Sequence, residues 1–159
     1  MKPVLFLRIA SILTLFHTAG HTIGAVFGKP APGAQQAAVW AMKTNQFQLM
    51  GLTRSYWDFH LGVNLAVSVM LAAEAVVFWQ LASLARADAS RLRPIVATFL
   101  VGYLGLAAIS YEYFFAPPLI TEILIALCMA MAILTSKAAV STGKTTVEPA
   151  GAGRLREAH

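Results

Sequence analysis

The sequence predicts an all-α integral membrane protein: a four-helix bundle with an amphipathic interfacial helix in its first outer loop. Of its 159 residues, 58% are hydrophobic and only 12% are charged, about half the charged share of a soluble domain. Four apolar runs each approach or exceed the roughly 20 residues that cross a bilayer. A soluble domain of this length could not bury so much apolar surface, whereas a lipid bilayer covers it.

The first span covers about residues 4–27. We expect it to be retained rather than cleaved as a signal peptide, because Arg8 interrupts the run and no small-x-small cleavage site follows. Proline and glycine then break the helix over residues 29–33. Residues 34–50 follow as an amphipathic helix that is too polar to span. We expect this helix to lie on the membrane surface or to cover the bundle.

The second span covers about residues 56–84 and opens with a capping box, Ser55-x-x-Asp58, in which the two side chains satisfy free N–H groups at a helix start. A short basic loop leads to the third span. The third and fourth spans cover about residues 95–115 and 119–136, separated by a Pro-Pro turn. Residues 137–159 are polar and rich in small side chains, which predicts a disordered cytoplasmic tail.

Basic residues near the span ends predict the topology. Most of them fall on one side if four helices cross: Lys2, Arg8, Arg86, Arg91, Arg93 and Lys137. The positive-inside rule then places both termini in the cytoplasm, and we expect a multi-pass protein of the bacterial cytoplasmic (inner) membrane. The net charge of +5 reflects these loops and the tail. No amphipathic basic face accompanies it, so we expect no nucleic-acid partner.

Polar residues concentrate in the outer half of the predicted bundle. His17 and His21 lie one helical turn apart, roughly 15 Å and 9 Å below the outer end of the first span. His60 and Asn64 lie at roughly 5 Å and 10 Å on the second span, and Glu112 lies near the outer end of the third. Each set falls on one helical stripe, and ionisable groups inside a membrane mark functional sites by default.

Two classes of ligand fit this pattern. His17, His21, His60 and Glu112 could bind a transition metal (zinc, copper or iron), since these metals accept imidazole and carboxylate. Haem b is a variant, with a histidine of the first span and His60 as axial ligands. A quinone-like or lipid-like molecule needs less precise geometry. The expected cofactor-binding residues are His17, His21, His60, Gly20, Gly24 and Asn64, with the glycines admitting a helix or a flat ring.

The alternative is a structural or accessory membrane subunit without a cofactor, packed against a membrane protein partner or against copies of itself. Its polar residues would then be interhelical hydrogen-bonding groups, and Glu74 would pair with Arg8. A proton-linked transporter ranks last, because broken helices and paired repeats are missing. The sequence holds no phosphate-binding loop and no nucleophile elbow, so we expect a binding or structural protein rather than an enzyme, with no catalytic residue.

Two segments carry a family resemblance. The segment H-T-A-G-H-T-I-G (17–24), followed by Lys29-Pro30 and by M-G-L-T-R-S-Y-W-D-F (50–59), resembles a family of small bacterial four-span membrane proteins without an assigned activity. The four-span plan is also loosely similar to DoxX-type proteins. The resemblance implies a four-helix membrane fold and no particular activity.

Overall fold

A computed structural model describes residues 2–136 of the chain. This range is mostly helical, with four helices long and apolar enough to cross a membrane, which confirms an all-α, multi-pass class. The elements, in order, are α1 (Lys2–His21), a π-helical turn (Thr22–Val26), α2 (Ala34–Thr44), β1 (Gln46–Leu49), β2 (Leu52–Ser55), α3 (Tyr56–Asp88), α4 (Arg93–Tyr113) and α5 (Ala116–Thr135). The tail predicted over 137–159 lies outside the described residues.

The bundle has two ends, named here by their loops. The basic end carries the α3–α4 loop, where Asp88 and Arg91 form an ion pair of 3.0 Å. The hairpin end carries α2, the β-hairpin and the α4–α5 turn. The predicted capping box is confirmed at this end: the Asp58 backbone N–H donates to Ser55 Oγ, and the Ser55 backbone N–H donates to Asp58 Oδ2.

The segment predicted as one amphipathic helix over 34–50 is helical only as far as Thr44. β1 and β2 then form an antiparallel hairpin in which Leu49 pairs with Leu52. Met50 and Gly51, in the turn, have positive φ angles of 49° and 81°, the backbone sign of a type I′ hairpin turn. The prediction of a single helix to Met50 is therefore wrong: the extended backbone of Asn45 (φ −81°, ψ 108°) ends α2, and glycine at the second turn position permits the hairpin that follows.

α1 occupies the centre of the bundle, packed between α3 and α5, while α4 packs chiefly on α5. Its buried residues follow one stripe, from Leu7 through Ala10 and Ser11 to Thr14. Small side chains on this stripe let the neighbouring helices approach closely. Phe78 of α3, fully buried, closes the remaining side of the core by edge-to-face contact with Phe99 of α4.

The register between α1 and α3 positions the polar residues. Ser11 Oγ donates to the Ala75 carbonyl oxygen at 2.6 Å, and ten residues nearer the hairpin end His21 Nε2 lies 3.2 Å from the Asn64 carbonyl oxygen. The two helices therefore run antiparallel in one continuous register. At its 33 residues, α3 is about 50 Å long and exceeds the roughly 30 Å hydrocarbon layer, so its ends extend beyond it.

Candidate functional site

A hydrogen-bonded network joins three helices at mid-bundle. The Tyr103 hydroxyl donates to Glu74 Oε2 at 2.8 Å and lies 3.3 Å from Thr14 Oγ1. Thr14 and Tyr103 are almost completely buried. The Glu74 carboxyl is thus held by a phenol of α4, and α1 contributes the adjacent hydroxyl. In an apolar medium such a network is strongly favoured over separate polar groups.

A second network joins α1 to α3 nearer the hairpin end. His21 Nε2 contacts the Asn64 carbonyl oxygen, and the same oxygen accepts a bond from Ser68 Oγ at 3.0 Å. Thr22 Oγ1 in turn donates to Ser68 Oγ at 2.9 Å. The structure therefore brings His21 and Asn64 together, as the sequence predicts, but through the Asn64 backbone.

Among residues 2–136, three buried side-chain atoms have no hydrogen-bond partner: Arg8 Nε toward the basic end, and His17 Nδ1 and Glu122 Oε2 nearer the hairpin end. The side chain of Glu122 is only 4% exposed, and that of His17 is half-buried. The Ser110 hydroxyl lies near the Glu122 carboxyl. No salt bridge joins His17 to Glu122, since Arg91–Asp88 is the only one among residues 2–136. A buried polar atom left without a partner in lipid is costly.

Counted along α1 and α5, His17 and Glu122 lie at about the same height in the bundle. At the basic end, Leu7 of α1 and Ala132 of α5 line one small cavity. His17 lies ten residues beyond Leu7, and Glu122 lies ten residues before Ala132. Because the packed helices are antiparallel and rise equally per residue, His17 and Glu122 reach the same level. Their height and their unsatisfied atoms define the candidate site.

The other residues predicted as metal ligands lie elsewhere. His60 is exposed and stacks on Trp57, with ring centroids 5.3 Å apart. The Asn64 side chain donates to the His60 carbonyl oxygen at 2.7 Å. Glu112 is exposed near the end of α4. Among residues 2–136, no group of three or more His, Cys, Asp or Glu side chains is arranged to hold a metal.

Gly20 and Gly24 do not act as close helix contacts. A Cβ added at either position would meet nothing within 4 Å, and both glycines are exposed. The expected close approach of a helix does not occur there in the described part of the chain. Gly28 differs, since a Cβ at this position would collide with the Gly24 carbonyl oxygen.

The pair predicted between Arg8 and Glu74 does not form. The Arg8 guanidinium lies over the Trp79 ring, 4.7 Å from its centroid, while Glu74 accepts from Tyr103. The antiparallel register explains the difference, because it sets Arg8 level with Trp79 and leaves Glu74 more than one turn nearer the hairpin end. A cation over an indole face is a favourable arrangement for a partly buried guanidinium.

The chain has also been compared with known proteins. No family model, curated protein or solved structure matches it. The resemblance to small four-span membrane proteins therefore stays an expectation. What the protein does must be argued from its own residues.

Sequence reasoning does not single out Tyr103 or Ser68, and it places Glu122 in the first outer turn of the fourth span, within the same outer half as the histidines. The position of Tyr103 could have identified it, because it lies at the middle of its span. Tyrosines in membrane helices usually lie at the interfaces. A central tyrosine needs a buried hydrogen-bond partner. For Ser68, only the register between helices reveals the partner, and for Glu122 only the structure shows that one carboxyl oxygen has none.

Proposed function

We propose that this chain is a membrane-embedded binding protein for a small, largely apolar molecule with hydrogen-bonding groups, quinone-like or lipid-like. The observation that carries the proposal is the pair of unpartnered buried atoms at one height, His17 Nδ1 and Glu122 Oε2. A hydroxyl or N–H of the ligand donates to the carboxyl, and a second polar group meets the imidazole. The ligand thereby satisfies two groups that the bundle leaves unsatisfied.

The same proposal covers the setting of the protein. The chain resides in the bacterial cytoplasmic membrane with both termini in the cytoplasm, so that the hairpin end faces outward, as its charge distribution predicts. α2 lies on the outer surface of the membrane; Trp40 on this helix is 68% exposed, and indole rings favour the headgroup level. The site then lies in the outer half of the bundle.

The second candidate is a structural or accessory subunit without a ligand, and a specific observation favours it. Several buried or half-buried polar groups already bond across helices, including Ser11 to α3, Thr22 to Ser68 and Tyr103 to Glu74. Such bonds hold membrane helices together without any ligand. In this case water molecules satisfy His17 Nδ1 and Glu122 Oε2.

The test is to purify the protein in mild detergent and to identify co-purifying molecules by mass spectrometry, with an absorption spectrum and elemental analysis of the same sample. His17→Ala and Glu122→Gln should each lose the bound molecule, while Ser83→Ala, an exposed hydroxyl bonded only to its own helix, should keep it. If every variant has the content of the unaltered protein, the structural reading holds.

The same samples test the metal and haem hypotheses. A bound metal that is lost in His60→Ala and Glu112→Gln as completely as in His17→Ala would establish the predicted metal centre. A Soret band lost in His60→Ala would establish haem. Our proposal requires neither His60 nor Glu112, so both of these variants should retain the bound molecule.

A further inference from the structure

A second site lies on the outside of the bundle, away from His17 and Glu122. The hairpin and the first turns of α3 enclose an open groove of about 450 Å³, within the range of small-molecule sites. We define it by its lining: Leu49, Met50, Leu52, Arg54, Asp58, Phe59, Gly62, Val63 and Ala66. The groove is apolar apart from two charged residues.

The apolar part of the groove has the length of part of an acyl chain. Along α3 the lining runs from Asp58 to Ala66, roughly 12 Å at 1.5 Å per residue. The hairpin tip forms the opposite wall, where Met50 is 96% exposed and Leu52 55%. Phe47 anchors the hairpin to α3, its ring centroid 5.0 Å from Tyr56 and 5.5 Å from Phe59.

The two charged residues remain available for binding. Asp58 receives both of its bonds from Ser55 on Oδ2, which leaves Oδ1 open. Arg54 donates from Nη1 to the Thr53 carbonyl oxygen, which leaves its other N–H groups for a ligand. Neither residue belongs to a salt bridge in the described range, where Arg91–Asp88 alone qualifies. The groove therefore offers a separated cation and anion at one end.

We propose that this groove binds one phospholipid with a zwitterionic phosphate–ammonium headgroup. Arg54 binds the phosphate through paired N–H donors, the geometry in which guanidinium recognises phosphate. The free oxygen of Asp58 accepts from the ammonium group, and an acyl chain lies along Gly62 and Val63 between α3 and the hairpin tip. A headgroup with only a negative charge would leave Asp58 facing a like charge, so it fits less well.

The experiment is to reconstitute the full chain in vesicles of dioleoyl phosphatidylethanolamine and dioleoyl phosphatidylglycerol at equal amounts, and to count retained lipids by native mass spectrometry. The unaltered protein should retain one phosphatidylethanolamine in preference to phosphatidylglycerol. Gly62→Leu and Ala66→Leu fill the groove and should abolish this retention. Gly102→Leu is the matched control: Gly62 and Gly102 are both exposed, with open space around an added Cβ.

Two further variants test which headgroup the groove binds. Arg54→Gln should weaken retention of the zwitterionic lipid by about tenfold, as expected for a lost charge-assisted bond of about 1.4 kcal/mol. Asp58→Asn preserves an oxygen for the capping box and should remove the preference over phosphatidylglycerol. Phosphatidylcholine, whose ammonium has no N–H to donate, should be retained less well than phosphatidylethanolamine.

Three results would overturn the proposal. The first is equal retention by Gly62→Leu and the unaltered protein. The second is a preference of the unaltered protein for phosphatidylglycerol. The third is a dimer that Gly62→Leu dissociates without a change in lipid count, which would make a second copy of the chain the occupant. These three results concern only the groove. Whether a molecule is bound at His17 and Glu122 changes none of them.

Discussion

Tyr103 shows how one side chain sets the polar interior of the bundle. Its phenol is 1% exposed, and its hydroxyl reaches Glu74 on α3 and Thr14 on α1. The ring also lies 6.0 Å from that of Phe78. One residue of α4 therefore contacts two helices on which α4 itself packs little. The carboxyl of Glu74 depends on this donor.

We predict that Tyr103→Phe destabilises the fold. The ring is kept, but the Glu74 carboxyl loses its donor. Hydrogen bonds between membrane helices contribute about 0.6 kcal/mol on average and at most about 1.7, and a carboxyl left unsatisfied adds to the loss. The unfolding midpoint in a detergent–denaturant titration should fall.

Tyr111→Phe is the control for this measurement. The Tyr111 side chain is 77% exposed, so its loss of a hydroxyl should leave the midpoint unchanged. Equal midpoints for Tyr103→Phe and the unaltered protein would show that the Glu74 bond contributes nothing to stability.

Whether a residue's hydrogen-bond partner can be predicted from the sequence depends on how far along the chain that partner lies. The Ser55–Asp58 capping box is visible in the sequence because both partners lie within one turn. His21 and Asn64 can be placed in one outer half by counting residues from the span ends. The bond from Tyr103 to Glu74, in place of a pair between Arg8 and Glu74, cannot be predicted by counting residues. It depends on how α3 is rotated relative to α1 and α4.

At the scale of elements, the end of α1 is the least regular part of the bundle. The helix widens into one π-helical turn, in which the Phe27 N–H donates to the Thr22 carbonyl oxygen at 3.2 Å. Such turns are uncommon and occur often at functional sites. Directly after it, Gly28 passes so close to the Gly24 carbonyl oxygen that no Cβ fits.

We predict that Gly28→Ala destabilises the protein by about 1–3 kcal/mol, the typical cost of forcing a carbon into occupied space. Gly24→Ala is the control, because a Cβ there meets nothing within 4 Å and alanine favours helical backbone. Thermal unfolding in detergent, followed by circular dichroism, measures both. If the two variants unfold at the same temperature, the tight passage at Gly28 relaxes without cost.

The elements themselves follow from the sequence to different degrees. Hydropathy and length predict the four spans within a few residues, because lipid forces backbone groups to bond within each helix. The outer loop is harder. Its apolar residues suit a helix as well as a strand. In the structure the helix gives way to a hairpin whose turn, at Met50 and Gly51, has positive φ angles. An M-G pair is a weaker hairpin signal than Asn-Gly or Asp-Gly.

At the scale of the whole molecule, charge predicts which end faces the cytoplasm. We predict that Gln48→Cys, exposed on the hairpin, reacts with a membrane-impermeant maleimide in intact spheroplasts, while Ala87→Cys, exposed near the basic end, reacts only after lysis. Both are made in a Cys128→Ala background, because Cys128 is the only cysteine. The opposite labelling pattern would invert the topology and would place His17 and Glu122 in the cytoplasmic half.

The central position of α1 has a consequence for biosynthesis. Among the four described spans, α1 is synthesised before the others, yet one of its two packing partners, α5, is synthesised after them. Until then, the side of α1 that packs on α5 lacks its neighbour, although Ser11 and Thr14 can already bond to α3 and α4. A chain truncated before α5 should therefore leave the α5-facing side of α1 in contact with lipid.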